Sequence, residues 1–317
     1  MQWLIFTLFL LAHAKSKMPM IETYWEAWTM EHSTDFASSL KTIPIASPGT
    51  VGVNIIDISF CNYHFGEDDQ GRITLGYINE LKTPDETLYT VDELIADVKA
   101  VHNKGGLVKL SFGGATFSMA TGVADVGSAA EFAQNVKKAV EQFDFDGIDF
   151  DVEDATSGDI QIAVIKECRK ALGPNKLISY TLPGTGELHS PYSTVLSETH
   201  EDIDAVNVMA YDVYWTGYDP LTDFKDIEAL GVPKEKIVWG VMPGCHDASN
   251  EFTTVDDAKS AAQQVAELGL YGVMMWDINR DTNHRSQSGC LYETGLPDGT
   301  YVTAVAQGMS EAMSEME

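Results

Sequence analysis

Eight strand-like segments alternate with helical ones along 317 residues, and no glycine-rich dinucleotide loop interrupts them. This pattern predicts an α/β chain closed into a single (β/α)8 TIM barrel. A third observation agrees: the strand-like segments end in aromatic and acidic residues, as they do where chemistry sits at the C-terminal rim of a barrel. A doubly wound open sheet is the alternative that alternation alone allows, and the missing glycine-rich loop weighs against it.

Residues 20–25 read as the first strand and 51–60 as the second, with Ile55, Ile56 and Ile58. The polar stretch 62–90 is long enough to suggest function rather than mere connection. Thr90 with Glu93 is a capping box, and Leu94, Ile95, Val98 and Val101 follow at helical spacing until Gly105 and Gly106. Residues 107–112 form the third strand, closed by Gly113 and Gly114. A helix over 126–143 carries Phe132, Val136 and Val140 on one stripe. The fourth strand falls within 144–153. Helices are expected at 160–172, 191–199, 224–230, 255–268 and 301–313, and strands at 177–182, 203–211, 237–242 and 271–276.

Residues 1–14 read as a secretory signal: an apolar run over 3–12, then Ala12, His13 and Ala14 as a small-x-small cleavage site. Residues 15–317 are then expected to form the barrel, the domain that would carry any catalytic site, of a secreted, extracellular, monomeric protein. The run is too short to span a bilayer. Formal charge is −28, from 20 basic and 48 acidic residues, so phosphate backbones and anionic lipid are repelled. Neither nucleic acid nor membrane is expected as a partner, whereas a neutral or cationic polymer is acceptable. The four cysteines form no CxxC pair. Cys245 and Cys290 fall in loops after consecutive strands, on one rim, and are expected to pair; Cys61 and Cys168 read as packed free thiols.

The fourth strand carries the chemistry. Ile148, Phe150 and Val152 take one face, and Asp149, Asp151 and Glu153 the other. Acids two apart on a strand stand roughly 6.8 Å apart in a column. Two such charges repel by about 2.4 kcal/mol at an effective dielectric near 20, so at least one carboxyl should hold a proton near neutral pH. A protonated carboxyl beside an ionised one is the starting point of general acid catalysis. Calcium or magnesium is the rival use of clustered acids, but a single file cannot surround a cation, and no metal or cofactor is expected. The other strand ends present Tyr24 and Trp25, Phe60, Ser111, Met209 with Tyr211 and Asp212, and Trp276. Carboxylates within aromatic faces suit a sugar ring, whose C–H face packs on the rings while its polar groups bond to the acids. Trp28 and Trp215 could extend that platform or cover loops. Lys109 shares the parity of Ser111 and so points to the barrel interior, where it needs an acid partner that the sequence does not identify.

With these residues the sequence resembles family 18 glycoside hydrolases of the chitinase type. The catalytic pattern D-x-x-D-x-D-x-E is complete from Asp146 to Glu153; S-x-G-G stands at Ser111 to Gly114, M-x-Y-D at Met209 to Asp212, and the strand-eight Trp is Trp276. The resemblance implies that Glu153 is the acid/base, that Asp151 orients the substrate acetamido group, and that Asp149 shares a proton with Asp151, held by Tyr24 and Ser111. It implies that Tyr211 bonds the acetamido carbonyl, that Met209 and Asp212 shape the subsite, and that Trp276 is its floor. Phe60 joins the substrate-binding set. The reaction implied is hydrolysis of β-1,4-linked N-acetylglucosamine polymers with retention, the substrate's own acetamido oxygen acting as nucleophile. Some members of the family insert an α+β domain after strand seven; residues 242–254 are too few for it, so an open groove and endo cleavage are expected. Two other readings remain: an endo-β-N-acetylglucosaminidase acting on N-glycan cores, and a non-catalytic chitin-binding protein, against which the intact Glu153 argues.

Overall fold

The computed structural model describes residues 19–31, 37–83, 86–154, 156–213, 217–244, 252–281 and 295–316. The proposed signal segment, the Cys245–Cys290 pair and Trp215 lie outside these residues. Eight parallel strands close into a barrel: β1 (Met20–Glu26), β2 (Ile55–Cys61), β3 (Leu107–Gly113), β4 (Gly147–Asp151), β5 (Leu177–Pro183), β6 (Ala205–Met209), β7 (Ile237–Val241) and β8 (Gly272–Met275). Each pairs with its sequence neighbours, and β1 closes the ring on β8 through Met20 opposite Gly272 and Thr23 opposite Met275. Only residues 242–254 separate β7 from the next helix, so no α+β domain is inserted there.

The helices are α1 (Val91–Lys104), α2 (Met119–Val126), α3 (Ala129–Phe143), α4 (Gly158–Leu172), α5 (Tyr192–Thr199), α6 (Pro220–Ala229), α7 (Val255–Leu268) and α8 (Thr300–Met316). Their distribution departs from a strict alternation. Among the described residues β1 reaches β2 through the 3-10 turns Ala27–Glu31 and Leu40–Thr42, with no α-helix, whereas two helices follow β3. The helix expected over 126–143 starts at Ala129, and α2, which the sequence did not suggest, precedes it. Gly127, at φ 114°, breaks the chain, and the Ser128 hydroxyl accepts from the Glu131 amide to start α3. The long stretch after β2 holds a small hairpin, Gly66–Glu67 with Ile73–Thr74, and one helical turn, Tyr77–Glu80. No helix among the described residues is long and apolar enough to cross a membrane.

Two apolar clusters follow from strand parity. Ile56, Leu110, Phe112, Ile148, Phe150, Ile178 and Val206 point outward and are buried with Val98, Phe132, Val136 and Val164 from the helices. Each such large apolar side chain contributes about 1.5–3 kcal/mol when fully buried. Tyr24, Phe60, Ala205, Met209, Val238 and Met274 form a smaller cluster of their own. Cys61 and Cys168 are buried free thiols, and burial pushes both well above the ordinary thiol value.

Asp146, the first acid of the long motif, serves the barrel rather than the cleft. It accepts from the Val108 amide at 2.7 Å and lies 2.8 Å from His102 Nε2. Burial acts against the charged imidazole, but Asp146 and then Asp144 hold His102 above its ordinary value. A raised folded-state pKa gives stability that is complete below the unfolded value, about 6.5, and is lost as pH rises through the folded one. Urea unfolding of the parent should therefore weaken with rising pH across this window more than that of His102→Gln. Parallel pH dependences would contradict the pairing.

Candidate active site

The acid column is built by register. Before β4, α3 closes at Asp144 in a left-handed conformation (φ 60°), and pairing of β4 with β3 runs only from Gly147 to Asp151. The extended stretch expected over 144–153 is thus shorter at both ends. Asp149 and Asp151 are buried at 0 % and 2 % exposure, while Glu153 stands two residues past the ladder and is exposed. The three acids therefore run from the barrel interior to its mouth.

Asp149 lies opposite Ser111 on β3 and Ser179 on β5, and Asp151 opposite Gly113 and Thr181. Four hydroxyls converge on Asp149: Tyr24 at 2.9 Å and Ser111 at 2.7 Å lie on Oδ2, and Ser179 at 2.6 Å and Thr181 at 3.0 Å on Oδ1, with Tyr24 and Thr181 also bonded to each other at 2.7 Å. Tyr24 and Ser111 stand where the sequence placed them. Ser179 and Thr181 were missed; their shared parity on the fifth strand was the available signal. Gly113 explains one glycine of the third-strand motif. At φ 113° a Cβ would come within 1.9 Å of the Asp151 carbonyl, so a side chain there would displace the acid column.

Burial pushes Asp149 above the ordinary carboxylate range, with Lys109, Ser179 and Ser111 pulling it back. Asp151 rises further: burial, then Glu153, then Asp149 push it well above that range, and its Oδ1 is buried without a hydrogen-bond partner. The column accordingly takes its first proton on Asp151. Burial, followed by Asp151 and Glu153, also raises Tyr211, whose hydroxyl donates to Met274 Sδ at 3.8 Å and stays protonated at neutral pH.

Asp151 and Glu153 open into a cleft of about 570 Å³, within the range of small-molecule sites. Phe60, Met209, Tyr211, Asp212 and Trp276 line it with them, as do Trp28, Glu26, Tyr77 and Phe117. The rings form a file: Phe60 stacks on Trp276 at 5.4 Å and 16°, and Trp28 on Phe60 at 6.1 Å and 27°. Tyr24 meets Trp276 edge-on at 5.3 Å. The Arg280 guanidinium, held by Asp277 at 2.8 Å, lies 6.0 Å from the Trp276 ring centroid. Tyr77 comes from the long stretch after β2 and sits 5.7 Å from Phe117, so that stretch does reach the cleft. Every sequence-predicted site residue except Tyr24, Ser111 and Asp149 lines the cleft; those three form the layer beneath it.

A parallel barrel whose mouth presents a file of acids beside stacked aromatic rings defines a glycosidase architecture. Comparison with known proteins agrees. The sequence profile described as Glycosyl hydrolases family 18 matches residues 20–243, and the chain belongs to that family. It is a glycoside hydrolase. A chitinase of Enterococcus faecalis is 23% identical over 310 residues, covering 83% of each chain. Among solved structures, a GH18 chitinase from Pseudoalteromonas aurantia superposes with a TM-score of 0.63 at 18% identity, over 91% of this chain and 99% of the other. A catalytic-site mutant of active domain 2 of the Pyrococcus furiosus thermostable chitinase, complexed with chito-oligosaccharides, gives 0.68 at 15% identity, over 93% and 97%.

Proposed function

We propose that this enzyme hydrolyses β-1,4-linked N-acetylglucosamine polymers with retention, through an oxazolinium formed by the substrate's own acetamido group. The observation that carries the reading is that Asp151, at the end of β4, and Glu153, two residues further on, line the same cleft. A retaining enzyme with a protein nucleophile needs a second carboxylate across the scissile bond, about 5–5.5 Å from the acid. Asp151, only two residues before Glu153 at the same strand end, is poorly placed for that attack, whereas an acetamido oxygen of a bound sugar would lie on the required face.

In this reading Glu153 protonates the glycosidic oxygen and later deprotonates water. Asp151 accepts the acetamido N–H and stabilises the positive charge of the oxazolinium, passing its proton to Asp149 as it does so. Tyr211 turns from Met274 to donate to the acetamido carbonyl, and its raised pKa keeps that proton available. Trp276 carries the apolar face of the sugar, steadied by Phe60 and Tyr24, with Met209 and Asp212 closing the subsite. The chito-oligosaccharides complexed with mutants of the Pyrococcus furiosus chitinase, and the names of the other similar proteins, support this substrate class. The short 242–254 connection supports an open groove and endo cleavage. We read residues 1–14 as a secretory signal, so the enzyme acts outside the cell.

Mass spectrometry of an N-acetylglucosamine hexasaccharide and of an N-glycosylated protein, each incubated with the enzyme, tests substrate and mode together. Internal products from the hexasaccharide should appear first, with the glycoprotein intact. Release of glycans with the hexasaccharide untouched would overturn the chitinase reading in favour of the glycan-core one, and dimers alone from the outset would overturn the endo mode.

A further inference from the structure

Lys109 is a cation buried at 1 % exposure inside the barrel, beneath the acid column, and the mechanism above does not use it. Leaving a charge there without tight partners costs several kcal/mol, so what it touches matters. Its Nζ lies 2.9 Å from Glu22 Oε1, 3.3 Å from Asp57 Oδ1 and 2.5 Å from Ser179 Oγ. Asn207 donates to the same Glu22 oxygen at 2.7 Å. An ammonium has only protons to give. Ser179 therefore accepts from Lys109, and its single proton is directed to Asp149 Oδ1, 2.6 Å away. Ser111 donates to Oδ2, and Tyr24 and Thr181, which also bond each other at 2.7 Å, bring at least one further hydroxyl proton, so the resting hydrogen bonds favour the ionised form of Asp149.

We infer that Lys109, acting through Ser179, is a positioning residue that keeps Asp149 ionised and so assigns the proton of the acid column to Asp151. The charges around it are consistent. Burial acts against the Glu22 charge, but Lys109 and hydrogen bonds hold it below its ordinary value, while burial pushes Asp57 well above its own. Burial opposes the Lys109 charge, but Asp57, Glu22 and Asp149 hold it in place. The other titratable groups facing Asp149 and Asp151 are Tyr24 from β1, Tyr63 after β2, Tyr180 and Tyr192 from β5 and α5, Tyr211 after β6, and Glu153. Burial comes first among the causes that raise all five tyrosines, so none supplies a charge near neutral pH. Among the described residues Lys109 is a cation that pulls Asp149 down and does not figure among the causes acting on Asp151.

This rests on the hydrolase reading, in which Asp151 must give its proton to Asp149 during the reaction. If Asp149 is already protonated, that transfer is blocked, so the acid limb of the pH–kcat/KM profile reports Asp149. The test uses the full chain and N-acetylglucosamine hexasaccharide. Ser179→Ala, which leaves the Lys109 ion pairs in place, should move the acid limb to higher pH by about 1 unit, the smaller end of what a neighbouring charge does to a buried carboxylate. Lys109→Met should move it further in the same direction, and Ser179→Thr, which restores the hydroxyl, should return it to the parent value. A merely structural role lowers kcat or melting temperature with the limb unmoved, and that result in Ser179→Ala overturns the relay even if Lys109→Met fails to fold. An inactive parent overturns the hydrolase reading instead; carbon-13 titration of Asp149 in parent and Ser179→Ala then decides the relay, an unchanged midpoint contradicting it.

Discussion

Glu153→Gln is expected to lower hexasaccharide turnover by roughly 10²- to 10⁴-fold, the range that a positioned general acid contributes. Glutamine keeps the size and hydrogen-bonding reach of the side chain but has no acidic proton for the leaving oxygen. Because Glu153 is exposed and lies past the strand ladder, the substitution should leave stability within about 0.5 kcal/mol. Binding should survive, since the aromatic file and Asp151 are untouched. Initial rates, calorimetric titration with the hexasaccharide and a thermal melt check the three parts. Turnover equal to the parent's would remove Glu153 from the chemistry, and lost binding would make it a contact rather than an acid.

Asp151→Asn should have the second largest effect, about 10²- to 10³-fold on kcat, comparable to losing one preorganised group at a developing charge. Asparagine can neither release a proton to Asp149 nor carry the negative charge that an oxazolinium requires. The same variant should melt higher than the parent. Burial, Glu153 and Asp149 raise the Asp151 pKa in the folded state. Its contribution to stability is therefore complete below the unfolded value, about 3.9, and declines as pH rises through the folded value, where the parent must bury a charge beside two other acids. Asparagine never ionises, so the melting gap should widen as pH increases. A variant that melts lower than the parent at every pH would contradict the electrostatic account of the column, and one that keeps parental kcat would contradict its role in catalysis. Stability gained as activity is lost is the usual signature of a strained site.

The barrel and the acids were legible in the sequence for a physical reason. Strand parity is a local property, so Asp149, Asp151 and Glu153 declare a shared direction without any knowledge of neighbours, and so do Tyr24 and Ser111. What parity cannot supply is register between strands. Lys109 was legible as an inward cation, yet its partners Glu22 and Asp57 stand on β1 and β2, far away in sequence, and only the barrel stagger brings them to it. Ser179 and Thr181 share a legible parity, but their place beside Asp149 was not legible, on the same ground. The cleft walls from Tyr77 and Phe117 come from connecting segments, whose course depends on packing rather than on periodicity. The split between α2 and α3 was readable after all: Gly127, then Ser128 three residues before Glu131, is the pattern of a helix start.

The central claim is that the nucleophile is the substrate's own acetamido group, with Glu153 as acid and Asp151 as its support. The most direct measurement is the anomeric form of the first product, followed by proton NMR within the first moments of hexasaccharide cleavage, before mutarotation. The β-anomer, formed by the parent and absent with Glu153→Gln, is the predicted result. The α-anomer as first product would contradict the account, because it requires water to attack directly in a single inverting step.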